Sequence, residues 1–109
     1  MNDNKKITKI QNYLFNFLYD NFTKKDLLHI DKKFLYDDVK EFYGYNPTKN
    51  DIIWHISNNN ETNYKKLTIY IKKLLNFIET EIIPFYKKEK KWKGETQIKL
   101  IKNIINERN

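Results

Sequence analysis

Lysine is the residue type with the most chemistry to offer in this chain, as a fixed positive charge for phosphates, and its placement is uneven. Residues 1–60 carry nine lysines against eight carboxylates, whereas residues 61–109 carry eleven lysines and Arg108 against six, so the net charge of +7 divides into +1 and +6. The densest run, from Pro84 to Gly94, interleaves five lysines with Phe85, Tyr86 and Trp92. An anionic partner is therefore expected at the C-terminal half. On an ideal helix at ~100° per residue with Ile71 towards the core, Lys65, Lys66, Lys72, Lys73, Lys87 and Lys91 all fall on the far side. Asn76 and Thr80 lie between them, and Glu79 and Glu81 at the flanks. Such a stripe would run for roughly 39 Å, enough to follow several backbone phosphates. Lys90 adjoins it, and Trp92 beside the lysines could stack on an exposed base or pack on lysine stems. The plainer account of the stripe is that the polar side of any amphipathic helix is lysine-rich in a lysine-rich chain, and that lysines near a helix end complement its dipole.

Other reactive residue types are sparse. His29 and His55 are 26 residues apart without ligand spacing and there is no cysteine, so no metal site and no disulfide are expected. Asp51 and His55 stand one helical turn apart, but Ser57 falls in the following loop, and a surface contact between the first two is the expected outcome. Asp37, Asp38 and Glu41 have Lys33 and Lys40 within helical reach and read as a solvated charged face. No catalytic residues and no cofactor are assigned. The segment from Phe34 to Ile56 reads as helix, glycine turn, helix, and in outline resembles helix-turn-helix DNA readers. Lys40 stands where that motif has a small residue, however, and Asp51 lies near the base-reading end, so a plain helical hairpin is expected.

The elements that must position these residues are all helical, given period-3.6 apolar spacing, two glycines and two prolines. A first helix over 4–21 places Ile7, Ile10, Leu14, Phe17 and Leu18 on one face, with Asp3 or Asn4 as cap. Thr23 and Asp26 form a capping-box pattern for a short helix through Leu27, Leu28 and Ile30, and Thr48 and Asp51 form another for a helix carrying Ile52, Ile53 and Ile56. Asp31 is a cap candidate for a helix over 32–43, closed by Gly44 and Pro47. Residues 57–60 read as a loop. From 63 to 92 the pattern is one long helix whose stripe is Tyr64, Leu67, Ile71, Leu74, Leu75, Ile78, Ile82 and Phe85, with a kink or break expected at residues 81–83 because of Pro84. Gly94 ends it, and a last helix over 96–106 uses Ile98, Ile101 and Ile105, with Leu100 and Ile104 close by.

At 109 residues the chain fits one domain, 1–109. It has no alanine, one valine and seventeen aromatic residues, so bulky isoleucine, leucine and aromatic side chains must make the core. Fifteen asparagines, fifteen isoleucines and twenty lysines are what AT-rich codons encode, which discounts the lysine count but not the thinning of acids after residue 60. No apolar run reaches the ~18 residues that cross a bilayer, and no secretory signal is evident, so a cytoplasmic protein without membrane partners is expected.

These readings predict a compact all-α bundle of four to six helices, with the long helix of the C-terminal half as its spine. The function expected first is a non-enzymatic nucleic-acid-binding or nucleoprotein-associated domain, in which Lys65, Lys66, Lys72, Lys73, Lys87, Lys90 and Lys91 neutralise phosphates without sequence specificity. The alternative is a protein-interaction module, such as a small regulator, immunity factor or phage-type inhibitor, that covers an acidic protein surface using Tyr43, Tyr45 and Trp54 around the Gly44 turn as anchors.

Overall fold

The computed structural model describes residues 3–36, 44, 46–58, 60–86 and 94–106. Among them the chain forms five helical elements and no strand. Helix α1 (Asp3–Asn21) buries Ile7, Ile10, Leu14, Phe17 and Leu18, the expected face, while Asp3 and Asn4 lie inside the helix rather than ahead of it. Helix α2 (Lys24–Ile30) opens with the full capping box: Thr23 Oγ1 accepts from the Asp26 N–H at 3.1 Å, and Asp26 accepts from the Thr23 N–H at 2.9 Å. Helix α3 (Lys49–Ser57) opens on the same device, built from Thr48 and Asp51.

Asp31 does not cap a new helix. Its backbone is right-handed helical, and α2 runs on through it into a widened π turn, Asp31–Leu35, closed at Tyr36 by a left-handed φ of 55°. The helix expected over 32–43 therefore does not begin at residue 32. Residues 37–43 lie outside the described residues, and Gly44 has the left-handed φ of +88° that suits a helix-terminating glycine. Ser57, expected in the loop, is instead the last residue of α3 and is buried; Asn58 follows in the left-handed region as the C-cap.

Helix α4 (Tyr64–Phe77) continues through a second π turn (Ile78–Ile82) into a short α-helical stretch (Ile83–Tyr86), so Pro84 neither breaks nor ends the element. Proline has no N–H and its ring crowds the carbonyl four residues back. The wide turn absorbs this: the Ile83 N–H reaches the Ile78 carbonyl, five residues back. The extra residue also rotates everything beyond it by about 100°. On an uninterrupted helix Phe85 would face the core and Ile83 the lysine side. The structure reverses them, with Ile83 6% exposed and Phe85 74% exposed, which corrects the expected place of Phe85 in the buried stripe.

Helix α5 (Gly94–Asn106) begins at Gly94, and buries Ile98, Ile101, Ile104 and Ile105 while Leu100 stays half-exposed. The central element is α1 rather than the long helix: α1 packs on α3, α4 and α5, whereas α2 and its π turn close the α3 end. Among the described residues twenty-two buried apolar side chains, drawn from all five elements, form one cluster, flanked by Phe34 against Tyr70 and Phe77, whose ring centroids lie 5.7 and 5.4 Å away.

Candidate nucleic-acid interface

The lysine stripe is positioned by how α4 starts and what it buries. Asn63 caps the helix, its side-chain oxygen accepting from the Lys66 N–H at 3.0 Å, which fixes the register. Leu67, Thr68, Ile71, Leu74 and Leu75 then turn inwards. Lys65, Lys66, Lys72 and Lys73 are consequently exposed, as the spacing predicted. Among the described residues none of the four makes an ion pair. Two acids of the same stretch are engaged elsewhere, Glu79 holding Lys102 at 2.6 Å and Glu61 accepting from the Asn63 N–H at 2.9 Å, while Glu81 is exposed beyond the stripe.

Three lysines of the N-terminal half are used differently. Lys6 is buried with its ammonium 5.5 Å from the Tyr64 ring centroid. Lys24 donates to Asn46 Oδ1 at 2.9 Å. Lys49 donates to the Tyr19 carbonyl at 2.7 Å while lying over the Tyr19 ring. These charges tie elements together, whereas those of α4 point to solvent.

Sequence reasoning missed Ile69. It lies on the exposed side of α4, 49% exposed, with lysines at every helical neighbour position: Lys65 and Lys66 before it, Lys72 and Lys73 after it. Asn76 is exposed two turns further on, and the Thr80 hydroxyl turns back to donate to the Asn76 carbonyl at 2.8 Å. A shallow groove of about 290 Å³ separates this face from α5, lined by Lys72, Asn76, Glu79, Lys102 and their apolar neighbours. Lys87, Lys90, Lys91 and Trp92 lie outside the described residues, as do Tyr43 and Tyr45 of the alternative reading; Trp54 is 52% exposed on α3.

The other constellation resolves differently from its sequence reading. Asp51 is committed to its capping box, and His55 pairs instead with Asp31, Nε2 to Oδ1 at 3.2 Å. Asp31 is 1% exposed. Tyr70 of α4 adds a link to α3, donating its hydroxyl proton to the Ile56 carbonyl at 2.5 Å. Burial first, and the negative charge of Asp31 second, raise the Tyr70 pKa well above that of an ordinary phenol. Ser57 is two residues from His55, on another face of α3, and its buried hydroxyl has no hydrogen-bond partner among the described residues, so serine, histidine and aspartate do not assemble as a catalytic triad. The cluster ties α2, α3 and α4 together from inside.

Among the described residues no group of three histidines or carboxylates is placed to hold a metal ion, and no helix is long and apolar enough to cross a membrane. No family model matches the chain, and neither the curated proteins nor the solved structures contain a match to it.

Proposed function

We propose that this chain is a non-enzymatic nucleic-acid-binding or nucleoprotein-associated domain whose phosphate contacts come from α4. One observation carries the reading: Lys65, Lys66, Lys72 and Lys73 share an exposed face on which, among the described residues, no carboxylate pairs with them. Ammonium groups on flexible stems offer point charges suited to phosphates. Binding of this kind releases condensed counterions, so affinity falls steeply with salt. The test compares two triple variants of equal charge. Lys65→Gln, Lys66→Gln and Lys73→Gln together should lower affinity for a labelled oligonucleotide and flatten the salt slope by about 0.9 per lost phosphate contact. Lys25→Gln, Lys32→Gln and Lys33→Gln, from exposed lysines of α2 and its π turn, should change both far less. Equal effects would mean diffuse electrostatics and remove the role assigned to α4.

A second reading, a protein-interaction module, is favoured by Trp54, a large aromatic half-exposed on α3. Wild-type protein that binds no nucleic acid at low salt would move the assignment there.

A further inference from the structure

The exposed face of α4 is organised as well as basic. Taking ~100° per residue, Lys65 and Lys72 form one row, Lys66 and Lys73 a second row about 100° away, and Ile69 and Asn76 lie between the rows. Each row member is seven residues from its mate, or ~10.5 Å along the axis. Before the π turn the centre line carries no charge, and Ile69 and Asn76 on it are exposed, the asparagine side chain having no hydrogen-bond partner among the described residues. A surface made only to attract phosphates has no need of an uncharged centre flanked by two cationic edges.

Resting on the nucleic-acid reading above, we propose that α4 lies along the major groove of duplex DNA, with the two lysine rows on the phosphates of the two strands and Ile69 and Asn76 against base edges. The groove is ~12 Å wide and admits one helix, so lysines on opposite edges reach opposite walls. Asparagine matches the donor and acceptor pair of adenine, and an aliphatic side chain matches the thymine methyl. The ~10.5 Å between Ile69 and Asn76 corresponds to about three base-pair steps of ~3.4 Å. The recognised ligand is therefore A·T-containing B-form DNA. Duplex RNA is excluded by its deep, narrow major groove, which side chains do not read. At the edge nearest α5 the Glu79 carboxylate is paired with Lys102, which weakens its repulsion of the adjacent strand.

The experiment measures fluorescence anisotropy of the full chain with four 16-nucleotide probes: an alternating A·T duplex, an alternating G·C duplex, a duplex RNA and single-stranded oligo-dT. Alternating sequence presents adenine and thymine in every register and avoids A-tract shape effects. The A·T duplex should bind about tenfold tighter than each of the others, consistent with one good base contact. Asn76→Ala and Ile69→Ala should each cut that preference at least threefold while leaving the salt slope unchanged, and circular dichroism should show both variants folded. Lys72→Gln with Lys73→Gln should weaken both DNA duplexes equally. Equal affinity for the A·T and G·C duplexes, tighter binding of oligo-dT or duplex RNA, or a preference that survives both centre-line variants would overturn groove reading and leave phosphate binding in place. Absence of binding to all four probes would overturn both proposals.

Discussion

Asp31 carries a carboxylate into the core where α2 passes into its wide turn, and His55 answers it from α3. A buried charge deprived of such a partner costs several kilocalories, so His55→Ala should lower the urea-unfolding free energy by about 3 kcal/mol, far more than a surface histidine would. A change under 1 kcal/mol would mean that the pair is idle. Tyr70 gives the same cluster a pH signature. Below the ordinary tyrosine value of 10.0 the phenol is protonated in both folded and unfolded chains, and its contribution is complete. Above that value the unfolded chain ionises while the folded one, its pKa raised, keeps the proton, so stability falls as pH rises. Tyr70→Phe should therefore lose stability at neutral pH, from the missing hydrogen bond to the Ile56 carbonyl, yet decline less steeply than wild type above pH 10.0. None of this was legible in the sequence. An aspartate at the head of a helical pattern reads as a cap, and only the fold brings His55, 24 positions on, against it.

At the scale of elements, what is decided within four residues was legible and what depends on the core was not. Both capping boxes follow from Thr23 with Asp26 and Thr48 with Asp51, because hydrogen bonds three residues apart need no tertiary context. Pro84 announced a disturbance, but a break and a widened turn both relieve the same clash. The widened turn goes with the burial of Ile83, which on an unbroken α-helix would face the lysine side. The widened turn can be checked by unfolding two variants: Ile83→Ala should cost about 2–4 kcal/mol and Phe85→Ala less than about 0.5 kcal/mol. The reverse order would belong to an unbroken α-helix.

For the molecule as a whole, the all-α class and the charge asymmetry were both readable, since periodicity and charge counts survive any arrangement of the helices. The hub was not: α1 earns that position by touching three other helices, which no one-dimensional pattern records. The site was legible by halves. Lysine positions follow from the phase of α4, but Ile69 was passed over because the outward face was read for its charges, although the same phase sets it between them. A polyanion that binds the folded chain and not the unfolded one must stabilise it by mass action, by about 2.7 kcal/mol at a hundredfold excess over Kd. The A·T duplex at that concentration should raise the melting temperature by several degrees at low salt, and the shift should vanish in the Lys65, Lys66 and Lys73 triple variant.

The turn before Pro84 acts on its helix as a frameshift acts on a message. Every residue is still present and in order, but Ile83 and Phe85, which follow the insertion, are read on different faces. It follows that the two parts of the long helix answer to separate punctuation. Deleting the single residue Thr80 would restore one continuous phase, draw Phe85 inwards and push Ile83 out. The chemical character of this end of the molecule is thus set by the length of one turn as much as by the residues that compose it.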